Sequence, residues 1–243
     1  MKPCNFCTYG HTKALEFAIH YLEHATLHRV TDPETADFLL LPVPSFDKDG
    51  NINGSTDTPC FPDNKLIIGG NLTSLQQAGL HTLDLLQDPV YLAENAAITA
   101  HCAVNLAMAQ SMFTLRRCPV LVIGWGRIGK CLAALLKNSG ADVTVAARKP
   151  ADRAILQAMD YKALPVNDLD TAPYKVIFNT VPEMILPHCF GQSLKIDLAS
   201  SPGIGGSNLL HAKGLPNRYA PESSGKLIAD SVIRIMSEKE YIP

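Results

Sequence analysis

The stretch VLVIGWGRIGKCLAALLKNSGADVTVAARKP, residues 120–150, constrains the fold more than any other part of the chain. An apolar strand pattern, VLVIG, enters a loop with glycines at 124, 126 and 129. The helix pattern RIGKCLAALLKNSG follows, and then a second strand pattern, DVTVAA. A lone GxGxxG is a weak motif. One set between a strand and a helix, with another strand beyond, reads as the opening of a dinucleotide-binding βαβ unit. There the first glycine allows a tight turn, the second lets the backbone approach a pyrophosphate, and the third lets helix and strand pack closely. The helix start adds amide donors and the positive end of its dipole. Gly124, Trp125, Gly126, Arg127, Ile128 and Gly129 are the candidate phosphate cradle. A glycine turn that holds no ligand is the alternative.

The second strand decides the nucleotide. An NAD site usually has Asp or Glu at that strand's end, about 20 residues past the loop, to bind the ribose hydroxyls. This strand ends in Ala146 and Ala147, and Arg148 and Lys149 come next. A carboxylate there would repel a 2′-phosphate, whereas a guanidinium grips one with paired hydrogen bonds. The expected cofactor is therefore NADP(H), ahead of NAD(H). A solvated Arg-Lys pair at a strand end is the competing reading.

Before the glycine loop, NFCTYG, TLHRV, DFLLLPV, KLIIGGN and HTLDLL read as strands. A helix stripe (Ala14, Leu15, Ala18, Ile19, Leu22) and the helix LTSLQQAG lie among them. PSFDKDGNINGSTDTPCFPDN reads as a loop or small hairpin. Asp88–Phe113 reads as one apolar helix. After the loop, YKALPV, VIFNTV and LKIDLAS read as further strands, and PESSGKLIADSVIRIMSEKE as a closing helix. The expected fold is α/β with two domains: a smaller, flavodoxin-like N-terminal α/β domain and a C-terminal Rossmann doubly wound parallel sheet. The expected boundaries are 1–92 for the substrate-side domain, 93–113 for a bridging helix and 114–220 for the nucleotide domain. Residues 221–243 would form a helix packing back on the first domain. A cleft between domains would hold substrate and close by hinge motion.

The formal net charge of −2, without a basic block, argues against a nucleic-acid partner. The start MKPCNFCTYGHTK has no apolar signal segment, and no apolar run is long enough to span a bilayer, so a cytoplasmic location is expected. Seven scattered cysteines fit reduced thiols. Cys4 and Cys7 have CxxC spacing without a second pair, and Asp47 and Asp49 lie in a turn-like segment, so no metal is expected.

Ligands of open α/β sheets bind beyond the carboxyl ends of the strands. Asn179, Thr180, Val181 and Pro182 follow one such strand, and Ser200 and Ser201 follow the next. The first four are candidates for the cofactor side and the serines for the substrate side; ordinary turn chemistry is the alternative. A dehydrogenation also needs a proton acceptor. Of the eight histidines, His101 on the bridging helix is the candidate acid–base group, with His11 and His188 behind it.

VLVIGWGRIGKCLAALLKNSGADVTVAAR, NTVPEMIL, KIDLASSPGIGG and GLPNRYAPESSGKLIA together resemble the family of A-type subunits of dipicolinate synthase, which is related to D-2-hydroxyacid dehydrogenases. DFLLLPVPSF and LIIGGN resemble that family's N-terminal domain, and Pro42 and Asn71 within them are further substrate-side candidates. The resemblance implies an NADP(H)-dependent oxidoreductase that converts a hydroxy-tetrahydrodipicolinate-like cyclic dicarboxylate to dipicolinate, the calcium-chelating acid of endospores made at sporulation. It also implies a partner, a flavoprotein-like second subunit; a homo-oligomer is expected. The departures concern the substrate side. Ser201 replaces the family's arginine, His101 a glutamate and Glu222 a basic residue, and the first turn TYGHTK differs. Two rival readings follow: a nucleotide-binding regulatory or assembly protein without turnover, and a D-2-hydroxyacid dehydrogenase-like enzyme with another substrate.

Overall fold

The structure, a computed structural model, describes residues 4–55, 61–189 and 191–238. The chain divides into two compact units, Met1–Asn95 with Pro216–Pro243, and Ala96–Leu215.

The first unit is built on five parallel strands: β1 (Asn5–Thr8), β2 (His28–Arg29), β3 (Phe38–Leu40), β4 (Leu66–Gly69) and β5 (Thr82–Asp84). Their order is β2-β1-β3-β4-β5, that of flavodoxin-like sheets. The middle strands are apolar without alternation because both faces are covered: Phe38, Leu39, Leu40, Ile67 and Ile68 are all fully buried. Helix α1 (Lys13–His24) starts where the Thr12 hydroxyl accepts a hydrogen bond from the Leu15 amide at 3.1 Å. It buries Ala14, Leu15, Ala18 and Leu22, while Ile19 stays half-buried. Helix α2 (Thr73–Gln77) joins β4 to β5. An antiparallel bridge between Phe46 and Ile52 makes the following segment a small hairpin; residues 56–60, with Cys60, lie outside the described residues.

Helix α3 (Pro89–Ala109) starts and ends within the segment that the sequence pattern marks as helical, and its end is the clear difference. Gln110–Phe113 is not helical. The Ser111 hydroxyl donates to the Ala107 carbonyl at 2.7 Å and so takes up an acceptor of the last turn.

The second unit runs β6 (Pro119–Ile123), α4 (Arg127–Asn138), β7 (Asp142–Ala146), α5 (Pro150–Ala158), β8 (Lys162–Leu164) and β9 (Val176–Asn179). It continues through β10 (Leu186–Cys189), β11 (Leu194–Asp197), β12 (Ile204–Gly206) and β13 (Leu209–His211). Six strands form a parallel sheet ordered β13-β11-β9-β6-β7-β8, the doubly wound order of dinucleotide-binding folds. Val120–Ile123 and Val176–Asn179 are fully buried at its centre. Helix α4 packs Gly129, Leu132, Ala133 and Leu136 inward. Proline opens α5, where its fixed φ suits the first helical position. Strands β10, β12 and β13 are absent from the sequence expectation. They are short, and LPHC, IGG and LLH carry no period-2 signal.

Helix α6 (Leu215–Tyr219) leads to α7 (Pro221–Glu238), which lies against α1. Gly225 sets the approach: a Cβ there would collide with the Cβ of Phe17 and lie 2.5 Å from the Ala14 carbonyl. The buried face of α7 includes Leu227, Ile228, Ala229, Val232, Ile235 and Met236. Arg234 ties the helix to Asp88. Lys239–Pro243 lie outside the described residues.

Candidate functional site

The glycine loop leaves the carboxyl end of β6 in a shape that its neighbours dictate. Gly124 has φ +106°, which side-chain-bearing residues rarely adopt, and a Cβ there would collide with the Thr180 hydroxyl. The Gly124 amide donates to the Ala146 carbonyl at 2.9 Å. The Thr180 amide and hydroxyl both donate to the Ile123 carbonyl at 2.9 Å. Gly129 packs so that a Cβ would collide with the Gly124 carbonyl, which makes it the close contact between helix and strand.

Gly126 is different. It is the N-cap of α4, no side chain caps the first turn, and a Cβ built on it meets nothing within 4 Å. The amide end of α4 thus opens onto free space over a glycine, as a phosphate requires.

A pocket of about 430 Å³ lies over this loop. Gly124, Trp125 and Gly126 line one side, Arg148 and Lys149 another, and Thr180, Val181 and Pro182 a third. Its size is that of a small-molecule site. Arg153 fixes the turn after β7 by donating from Nη1 to the carbonyls of Ala147 (2.9 Å) and Arg148 (2.8 Å). The Trp125 ring sits 6.0 Å from that of Tyr161, and the Lys130 ammonium lies 5.8 Å from the indole centre.

Two carboxylates also line the pocket, Asp152 and Glu183. Glu183 Oε2 stands 3.5 Å from Arg148 Nη1. The sequence expectation holds neither acid. Their positions in the chain carry no local signal, because Glu183 meets Arg148 only through the folding of β7 beside β6 and β6 beside β9.

Arg127, Ile128 and Gly129 belong to the first turn of α4 and are outside the pocket lining. Asn179 is not among the residues that line the pocket. It is fully buried, its Nδ2 donates to the Val181 carbonyl (2.9 Å) and to Asp197 Oδ1 (2.8 Å), and its Oδ1 accepts from the Val181 amide (3.1 Å). With both ends of the amide occupied, Asn179 shapes the loop that presents Thr180 and Val181. Asp197, 2% exposed, completes the network by accepting from the amides of Ala199 (3.2 Å), Gly203 (2.7 Å) and Ile204 (3.3 Å). This buried carboxylate holds the β11–β12 loop, and a satisfied network of that kind fixes one conformation. Ser200 and Ser201 are exposed on that loop, outside the pocket lining.

The remaining candidates do not join the pocket. His101 is exposed on α3 and is not a lining residue. His11 pairs with Glu16 at 3.1 Å, and His188 lies in β10. Asn71 and Pro42 belong to the first unit. Asn71 has φ +62°, and its amide donates to Asp84 Oδ1 at 3.1 Å; Pro42 is buried, with its carbonyl accepting from the Ser45 hydroxyl at 2.8 Å. Among the described residues, no group of three or more His, Cys, Asp or Glu is placed to hold a metal ion, and no helix is long and apolar enough to cross a membrane. A larger hollow of about 690 Å³ lies at the amino ends of the strands, beside Phe113, Tyr174 and Lys175. The carboxyl-end pocket is the candidate site because it has the glycine loop, the helix N-terminus and the cations.

The sheet order, the glycine loop and the pocket over it define a class by fold: a two-unit α/β chain whose second unit has the doubly wound sheet order, with a glycine loop at the carboxyl end of its central strand. Residues 114–219 match the family model described as acetohydroxy acid isomeroreductase, NADPH-binding domain. The particular likeness is to the A-type subunit of dipicolinate synthase. The chain is 29% identical over 159 residues to that protein from Bacillus subtilis (strain 168), a match covering 59% of this chain and about half, 54%, of the relative's length. The crystal structure of the same subunit from Bacillus halodurans superposes with a TM-score of 0.80 at 20% identity, covering 96% of this chain and 97% of that one. The apo structure of D-lactate dehydrogenase from Escherichia coli superposes with a TM-score of 0.63 at 11% identity, covering 98% of both chains. The sequence-based resemblance and the α/β two-domain fold class therefore stand.

Proposed function

We propose that the chain is an NADP(H)-dependent oxidoreductase of the dipicolinate synthase type, akin to its A-type subunit. Its substrate is a hydroxy-tetrahydrodipicolinate-like cyclic dicarboxylate, which becomes dipicolinate by loss of water and removal of one hydride and one proton. The observation that carries the cofactor assignment is the pocket itself: a glycine loop with an open backbone face, an uncapped helix N-terminus, and Arg148 with Lys149 directly after Ala146 and Ala147, where a strand-end acid would otherwise stand. The match of residues 114–219 to an NADPH-binding domain supports it. The likeness to dipicolinate synthase supports the substrate class.

The residues divide the work by chemistry. Gly126 and the first amides of α4 would take the pyrophosphate. Arg148 would grip a 2′-phosphate, with Lys149 adding charge. Thr180 and Val181 are held at the pocket wall by Asn179 and Asp197. A nicotinamide, when bound, supplies a hydride acceptor.

Binding of NADPH and NADH, titrated by calorimetry, tests the assignment. NADPH should bind more tightly. Arg148→Ala should weaken it about tenfold or more, the loss of one charge-assisted hydrogen-bonded pair, and leave NADH nearly unchanged. Failure to bind either nucleotide would remove the proposal. Hydride transfer to NADP⁺ from the condensation product of pyruvate and aspartate semialdehyde tests the substrate.

A second reading has one observation in its favour. The exposed β11–β12 loop presents Ser200 and Ser201, and the family it resembles has an arginine at the second of these positions; a hydroxyl cannot match a guanidinium as a carboxylate clamp. On that reading the chain binds the dinucleotide and acts as a regulatory or assembly protein. Binding without turnover of that condensation product would favour it.

A further inference from the structure

The cofactor pocket contains its own anion. Arg148, the residue that would take a 2′-phosphate, stands 3.5 Å from Glu183, and both side chains are mostly exposed, at 78% and 61%. Glu183 enters from the β9–β10 connection, just past the Thr180–Pro182 wall, whereas Arg148 enters from the end of β7. Asp152 and Lys149 line the same space, so two cations and two carboxylates line the pocket.

We infer that Glu183 is a specificity-determining residue that restrains the pocket's preference for a 2′-phosphorylated dinucleotide. The inference rests on the cofactor assignment above. A 2′-phosphate must take Arg148 from the Glu183 carboxylate and then sit beside that carboxylate, so like-charge repulsion adds to the exchange. A nucleotide with free ribose hydroxyls meets neither cost. It finds in Glu183 a hydrogen-bond acceptor of the type that ordinarily stands at the end of β7, where this chain has Ala146 and Ala147. Glu183 thus stands as an acid in the pocket, carried on a different strand connection. Both groups are exposed, so the expected effect is small in free energy and visible as a ratio of affinities.

The chain's single tryptophan, Trp125, lines this pocket, so its fluorescence reports binding without any need for turnover. NADPH and NADH are titrated into the wild type, Glu183→Gln, Arg148→Ala and the double variant. Glu183→Gln should raise NADPH affinity about threefold to fivefold, as expected for an exposed charge interaction, and leave NADH unchanged or weaker. In the Arg148→Ala background the gain should shrink, because the part that comes from releasing the guanidinium is gone. If Arg148→Ala weakens NADPH while Glu183→Gln changes neither nucleotide, this inference is overturned and the cofactor assignment stands. A gain for both nucleotides alike also overturns it, since the 2′-phosphate is then not what Glu183 opposes. A wild type that binds neither nucleotide overturns the assignment and the inference together. Glu183 is a surface side chain, so its substitution leaves the fold intact; a thermal melt of each variant confirms that.

Discussion

At the scale of single residues, the site is a set of side chains and amides with distinct tasks. Gly126 is the sharpest probe because its space is open: a methyl there meets no protein atom, so any penalty falls on a ligand. Gly126→Ala should lower stability by about 1 kcal/mol, since no capping side chain is lost but alanine is a much poorer N-cap than glycine. NADPH binding should fall by more than tenfold, read from Trp125 fluorescence. A variant that binds NADPH as the wild type does would move the phosphate away from this loop. Gly124 and Gly129 make poorer probes, because a Cβ at either collides with the Thr180 hydroxyl or the Gly124 carbonyl and would disturb the fold itself. Buried Tyr91 gives a pH signature unrelated to the ligand. Burial pushes its phenol well above the ordinary value, while in the unfolded chain it ionises near pH 10. The stability linked to it is therefore fully present below pH 10 and is lost as pH rises past that value. Between pH 8 and pH 11 this loss should be about 1.4 kcal/mol, and Tyr91→Phe should abolish that share of the slope in chemical denaturation.

At the scale of elements, helices and strands place these residues by close contact. The last helix is the clearest case. Although α7 comes late in the chain, it packs on α1 near its beginning, and Gly225 is a point where the two backbones approach closely. Gly225→Ala puts a methyl against the Phe17 Cβ and the Ala14 carbonyl, neither of which is the far end of a flexible side chain. Overpacking of this kind should cost about 1–3 kcal/mol, measured by denaturation, with nucleotide affinity unchanged because the pocket lies in the other unit. In the second unit the corresponding device is polar. Asn179 at the end of β9 and Asp197 at the end of β11 join the two strand ends, and their hydrogen bonds set the loops on either side.

At the scale of the molecule, a five-stranded and a six-stranded parallel sheet of different strand order, with the two-stranded β10–β12 pair, share one chain, and the glycine pocket lies over the six-stranded sheet. A ligand of that unit should stabilise it by linkage. NADPH at 100 times its dissociation constant should contribute about 2.7 kcal/mol, seen as a higher calorimetric transition temperature, and Arg148→Ala should reduce the shift at the same concentration. The sequence by itself determined the strand–glycine loop–helix–strand unit, the parallel α/β class and the missing acid after β7. All of these are local: each depends on residues within a few turns of one another, whose periodicity and backbone needs show directly in the letters. It left out β10, β12 and β13, whose short segments become strands only when a neighbour supplies the other half of the ladder. It marked Asn179 by residue type and strand-end position, whereas the Asp197 partner that holds its amide is not visible in the letters. Only the tertiary structure decided that Glu183 faces Arg148. Two side chains on separate strand connections meet only when the crossovers bring their strand ends to one rim, and no spacing along the chain encodes that meeting.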